Sequence, residues 1–252
     1  MVPVTRDFQS DTPLPAKTLA HLSEIFGRDW PSPEKLHHRS RQVAIHLESA
    51  KESVAHFLAI EPAELEIIGG TSTALSLGIS GLLTDNATHF YFGATDRRTS
   101  GAAATLFEKR GGRTTRLDSD VTGQITYSNI SASSAATAWQ SVNRETGVIQ
   151  QSSPETGPLC ADMTCGPFAQ LPARWDTAIW EPASWGGPRG IGLLAINKSS
   201  KSWRNPGAQI ADYRSAPDFS VPLFIAAALA LEEAFTTRDD AKIAENHHHF
   251  VT

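Results

Sequence analysis

The stretch Leu65-Glu66-Ile67-Ile68-Gly69-Gly70-Thr71-Ser72-Thr73-Ala74-Leu75 decides the reading of this 252-residue chain. Leu65–Ile68 is a short apolar run of strand type, closed by a glycine pair. Thr73–Leu83 follows as an apolar helix with no charged residue before Asp85, the pattern of a helix buried on most sides. A strand that turns through glycines into a helix leaves free N–H groups at the positive end of the helix dipole. Thr71 and Ser72 add hydroxyl donors there. The corner reads as a phosphate cradle, and equally as an ordinary helix cap.

Outward from it, strand and helix periods alternate. Upstream, Asp11-Thr12-Pro13 precedes a short helix with Leu19, Leu22 and Phe26 on one face. Ser40–Leu58 repeats Val43, Leu47, Ala50, Val54 and Leu58 at helical steps and stops ahead of Glu61-Pro62. Downstream, Thr88–Phe92, Arg113–Leu117, Gln124–Tyr127, Thr137–Ser141, Leu159–Asp162, Thr177–Trp180 and Ile191–Ile196 are strand candidates. Thr99–Arg110 and Val221–Phe235 are helical, and Ser128–Ser134 and Ser152–Gly157 are loops. The alternation predicts an α/β sheet with crossover helices.

Hydrophobic residues make up 40% and charged residues 19%, below the usual ~25%, which excludes disordered and fibrous classes. The 22 basic and 27 acidic residues give a charge of −5 with no basic block, against a nucleic-acid partner. Cys160 and Cys165 are too few for a secreted disulfide framework. The longest apolar run, Leu223–Leu231, falls short of the ~20 residues of a membrane span. Met1–Asp7 has neither a basic start nor an apolar core, so no signal peptide is read. The expectation is a soluble, cytoplasmic protein with no membrane partner.

Several segments share their order with a known family. Trp30-Pro31-Ser32-Pro33 with His37, then Leu47-Glu48-Ser49-Ala50-Lys51-Glu52-Ser53-Val54-Ala55, precede Ile68-Gly69-Gly70-Thr71-Ser72-Thr73. Arg144-Glu145-Thr146-Gly147-Val148-Ile149-Gln150, Ala161-Asp162-Met163-Thr164, Gly187-Pro188-Arg189-Gly190-Ile191-Gly192 and Arg214-Ser215 with Val221-Pro222 follow in turn. Together they resemble the class V aminotransferases, above all the cysteine desulfurase branch, over about residues 8 to 236. The resemblance implies a pyridoxal-phosphate (PLP) dependent transferase-like large domain of fold type I. Its sheet would be mixed, mostly parallel and seven-stranded, with helices on both faces. It places Gly70, Thr71 and Ser72 at the coenzyme phosphate and Asp162 against the protonated pyridine nitrogen, the ion pair that keeps the ring an electron sink. It also implies a homodimer.

Set against that pattern, the departures gather at the site. The lysine position preceding Gly187-Pro188 is Ser184, in Pro182-Ala183-Ser184-Trp185-Gly186, and a hydroxyl forms no imine. The other lysines are Lys17, Lys35, Lys51, Lys109, Lys198, Lys201 and Lys242. Lys198 is nearest but lies six extended residues beyond the turn, roughly 20 Å away at ~3.3 Å per residue. Lys51 and Lys109 fall on outer helix faces. The ring-stacking histidine corresponds to Arg97, which stacks on a planar ring but loses proton transfer near neutrality. Asn143 keeps the first of two family asparagines, while the second, which faces the coenzyme hydroxyl, is Arg144. Cys165 replaces a glutamine, and Ala216-Pro217 replaces a loop that reaches the neighbouring subunit's phosphate. Only Thr236–Thr252 follows the last helix, so residues 1–252 read as one large domain with the C-terminal small domain absent.

The remaining features read more blandly. Cys160 and Cys165 are taken as small buried thiols, His37 and His38 as surface residues, and His247-His248-His249 as a solvated tail rather than a metal site. Lys109, Arg110, Arg113 and Arg116 suit a helix C-terminus. Glu145 reads as structural, the tryptophans as core, and Trp185 as bordering the site. Three functions stay open. One is a non-catalytic homologue, a pseudoenzyme acting as partner, regulator or binding protein. Another is an active PLP enzyme completed by a second chain. The third is a noncovalent binder of PLP or another phosphorylated small molecule through Thr71, Ser72, Asp162 and Arg97.

Overall fold

Strand β4 (Ala135–Gln140) is buried along its whole length, which requires packing layers on both sides of the sheet it belongs to. The computed structural model describes residues 14–84, 86–127, 130, 135–206 and 219–237. The other strands are β1 (Leu65–Ile68), β2 (His89–Gly93), β3 (Arg113–Leu117), β5 (Leu159–Asp162), β6 (Thr177–Trp180) and β7 (Gly192–Ile196). They form one seven-stranded sheet in the order β1-β7-β6-β5-β4-β2-β3. β6, β5, β4, β2 and β3 run parallel; β7 is antiparallel to both β6 and β1. This is the mixed, mostly parallel sheet expected of the fold.

Side-chain alternation along the strands sorts the core into two layers. On one face Ala135, Trp139, Leu159, Ala161, Ala178, Trp180 and Leu193 pack beneath α1 (Ala16–Arg28), α2 (His38–Phe57) and α5 (Val221–Thr236). On the other, Ala136, Ala138, Cys160, Ile179 and Leu194 meet α3 (Thr71–Ser80) and α4 (Arg98–Lys109). Helices therefore cover both faces, as expected. Local signals set the helix starts. The His37 Nδ1 accepts from the Ser40 N–H at 3.2 Å at the head of α2, so His37, exposed as expected, also caps the helix. The Ser220 hydroxyl accepts from the Leu223 N–H at the head of α5, with Pro222 in its first turn.

Two expectations fail. The inward face of α1 is Thr18, Leu22 and Ile25, while Leu19 and Phe26 stand 58% and 36% exposed. The inward stripe packs against α5, while the buried Asp29 carboxylate, held by Arg28 and by the His46 ring at 2.8 Å, ties the end of α1 to α2. Gln124–Tyr127 is not a strand; it makes only an isolated bridge, Ser119 to Ile125. Side chains supply its partners instead: Asp120 Oδ1 accepts from the Gln124 N–H and Gln150 Oε1 from the Ile125 N–H. The readings placed on Asp11–Pro13, Arg214–Pro217, Lys242 and His247–His249 lie outside the described residues. Among the described residues no helix is long and apolar enough to cross a membrane.

One glycine is required by this packing. A Cβ on Gly192, which opens β7 opposite Ile68, would stand 2.6 Å from the Gly70 carbonyl oxygen and 2.8 Å from the Thr71 Cα. The start of β7 thus passes directly beneath the start of α3. Gly192→Ala is expected to lower unfolding stability by about 1–3 kcal/mol, as overpacking against backbone does. Urea unfolding with an unchanged midpoint would contradict this close approach.

Candidate functional site

The carboxyl ends of the parallel strands open on a cleft of about 1230 Å³, the usual place for ligands in an open α/β sheet. Four strands deliver polar groups to that edge. Asp96 and Arg97 follow β2, Gln140 ends β4, Asp162 ends β5, and Glu181 lies one residue past β6. Asn143 and Arg144 follow β4 by a tight turn, and Ser184 sits in a short 3-10 helix, Pro182–Trp185, closed by Gly186 in the left-handed region (φ 82°). Ser72, at the head of α3, completes one wall.

At the floor lies a chain of ion pairs. Asp162 is buried, with its Oδ1 accepting from the Thr164 N–H at 3.0 Å and from the Thr164 hydroxyl at 2.5 Å. Its Oδ2 lies 3.7 Å from Arg97 Nε. The same guanidinium donates through Nη2 to Glu181 Oε2 at 2.7 Å, and Arg144 Nη1 lies 3.9 Å from that oxygen. Burial raises the Asp162 carboxyl above the usual range, and Arg97 and the Thr164 donors counter it. Burial disfavours the Arg97 charge, yet Asp162 and Glu181 outweigh it and hold the guanidinium above its ordinary value.

The sequence-derived residues divide. Ser72, Arg97, Asn143 and Ser184 line the cleft, with Asp162 beneath Arg97. Gly70 caps α3, and the Thr71 hydroxyl donates to the Ile191 carbonyl at 3.4 Å, away from the cleft. Asn143 lines the wall with its amide committed to the chain. Its Nδ2 donates to the Thr95 carbonyl and Gln140 Oε1, and its Oδ1 accepts from the Glu145 and Thr146 N–H groups. The Ser184 hydroxyl donates to the Glu181 carbonyl at 2.7 Å. Trp185 is core, its indole N–H donating to the Ala227 carbonyl. Cys160 is buried, and burial pushes its thiol up, whereas Cys165 is only half-buried and lines the cleft.

Glu181 and Asp96 carried no expectation from the sequence. Their signal was position, directly after the carboxyl ends of β6 and β2. Asp96 Oδ2 accepts from the Gly93 N–H at 2.8 Å, which shapes the turn that presents Arg97; its enclosed Oδ1 has no hydrogen-bond partner among the described residues. The nearby Tyr127 hydroxyl is likewise buried without a partner, and burial pushes it up.

Held as the resemblance implies, PLP needs an amine for its carbonyl carbon and a free carboxylate for its ring nitrogen. No lysine lines the cleft among the described residues. Lys198 is held by Glu61 at 3.0 Å and Lys17 by Glu233 at 3.2 Å, and neither borders the cleft. Asp162 already faces a guanidinium. Among the described residues, those bordering the cleft offer no amine for a covalent link, and the carboxylate that would meet a ring nitrogen has a guanidinium beside it.

No protein-family model matches the sequence, and no curated protein matches it. Solved structures do match. A NifS-like protein superposes with a TM-score of 0.78 at 18% identity, over 91% of this chain and 69% of that one. SspA in complex with cysteine gives 0.76 at 19%, over 90% and 71%. The apo cysteine desulfurase from Thermococcus onnurineus NA1 gives 0.70 at 16%, over 86% and 64%. At these identities the likeness establishes the fold, which is that of the NifS-like cysteine desulfurases and the fold class expected from the sequence motifs.

Burial, and secondarily the Asp162 charge, raises the Asp96 carboxyl to about 7 from its ordinary 3.8. The folded protein therefore keeps a proton that the unfolded chain has released between those values, so this group's contribution to stability falls as pH rises toward 7. Asp96→Asn is expected to be more stable than the wild type at pH 8 by roughly 1–3 kcal/mol, with the advantage shrinking toward pH 5. Denaturant unfolding that shows the same difference at both pH values would contradict the raised carboxyl.

Proposed function

We propose that the protein is a non-catalytic protein built on the cysteine desulfurase fold, and that its cleft binds a small phosphorylated molecule without covalent attachment. The first part is supported by Ser184, which lines the cleft and stands where the resemblance expects the anchoring lysine, in a cleft bordered by no lysine among the described residues. A hydroxyl tied to the Glu181 carbonyl neither condenses with an aldehyde nor shuttles a proton near neutral pH. Arg97 does not replace the histidine it stands for, because a guanidinium stays charged and moves no proton. What the residues do is bind and orient. The first turn of α3 has no side-chain cap, so its free N–H groups and the Ser72 hydroxyl give the cleft wall donors for a phosphate.

The cysteine bound in the SspA structure belongs to that protein; on this chain an amino-acid ligand would meet no anchoring amine. A chain from elsewhere that supplied the lysine would return the fold to catalysis, and the same trapping experiment distinguishes the two. Borohydride reduction in the presence of PLP, followed by peptide mapping, is expected to yield no pyridoxyl-lysine on any chain, with or without a candidate partner chain present. Calorimetric titration with inorganic phosphate is expected to show binding that Ser72→Asp weakens at least tenfold, since the new carboxylate takes the helix N-terminus while favouring the helix itself. A pyridoxyl-lysine would overturn the non-catalytic reading; phosphate binding indifferent to Ser72→Asp would overturn the placement of the phosphate.

A further inference from the structure

Asp162 turns one oxygen to Thr164 and the other toward Arg97, whose buried Nε–H makes no hydrogen bond among the described residues. Thr164 holds Oδ1 through its N–H and its hydroxyl, and Arg97 Nε stands 3.7 Å from Oδ2. The far side of that guanidinium is fixed by Glu181 Oε2 at 2.7 Å, and Glu181 in turn has Arg144 at 3.9 Å. Two carboxylates and two guanidinium groups thus make a chain that closes to zero net charge. Arg97 is only 15% exposed, Glu181 16% and Asp162 7% by side chain, so solvent screens these three weakly, while Arg144 at the outer end is 46% exposed.

We propose that Arg97 is a built-in substitute for the cationic ring of a coenzyme, and that the cleft consequently accepts phosphate esters of uncharged groups and rejects pyridinium-bearing ligands. The inference deepens the noncovalent-pocket reading above and rests on it for the ligand class, while the role of Arg97 stands on the ion-pair geometry alone. A pyridinium brought to Asp162 meets a guanidinium of like charge in a weakly screened floor, and displacing Arg97 leaves Glu181 without its closest cation. A neutral polyol or sugar at the same depth carries no such penalty, and its phosphate reaches the head of α3. The substitution explains why Asp162 persists beside Ser184: its charge is needed to hold Arg97, not a ring.

Two measurements test this on the full chain. The first is thermal unfolding of the ligand-free wild type, Arg97→Leu, Asp162→Asn and the double variant. Arg97→Leu is expected to lose several degrees in Tm, because it leaves both Asp162 and Glu181 without their nearest cation; Asp162→Asn is expected to lose less, because Arg97 keeps Glu181, and the double variant no more than Arg97→Leu. Losses that simply add would overturn the Arg97 assignment, whatever the cleft binds. The second uses wild-type protein only, so it holds even if the variants do not fold. Ribose 5-phosphate is expected to bind at least tenfold more tightly than PLP. PLP binding as tight as the sugar phosphate, or binding of neither, would overturn the ligand class. Neither measurement depends on trapping a lysine, so the failure of this inference and of the non-catalytic reading are separately visible.

Discussion

The Arg97 guanidinium held between Asp162 and Glu181 is the contact on which the arrangement of the cleft depends. Burying a carboxylate at a strand end is costly unless a cation and hydrogen bonds answer it, and here the answer comes from inside the chain. Arg97 answers Asp162 at the end of β5 and Glu181 past β6 from a position between β2 and α4. The carboxyl edges of three strands are thereby tied by one side chain. Asp96 shapes the turn that presents Arg97, accepting from the Gly93 N–H, and Asn143 gathers the turn after β4 that carries Arg144. The surrounding polar groups serve to position this ion-pair chain or to border the space above it.

Much of the fold was legible because its signals are local. The run from Leu65 to Leu75 announces strand, glycine corner and helix, and the apolar strands from Thr137 to Ile196 announce a sheet covered on both faces. The errors came where tertiary contacts overrode local pattern. Leu19 and Phe26 look as apolar as Ile25, and it is the packing of α1 against α5 that decides which stripe of α1 turns inward. Gln124–Tyr127 has strand-like residues, but Asp120 and Gln150 take the hydrogen bonds a neighbouring strand would have taken.

The site was legible as a set of departures and not as a working assembly. Motif order pointed to Arg97, Asp162 and Ser184, with a serine where the resemblance expects the anchoring amine. It could not show that Arg97 and Asp162 meet, since 65 residues separate them, nor that Glu181 joins them, because no motif marks Glu181. Thr71 illustrates the same limit from the other side: a hydroxyl well placed in sequence for a phosphate donates to the Ile191 carbonyl instead. Chain order gives the groups at the strand ends, and packing decides which of them face one another.

A shared fold with NifS-like proteins therefore fixes a scaffold and leaves the chemistry to the residues at its carboxyl edge. In this chain those residues neutralise one another. A crystal structure grown in millimolar PLP tests that most directly. The account predicts that Arg97 stays against Asp162 and Glu181, with no ring nitrogen bonded to the Asp162 carboxylate. A pyridine nitrogen hydrogen-bonded to Asp162, with Arg97 swung out of the floor, would contradict it.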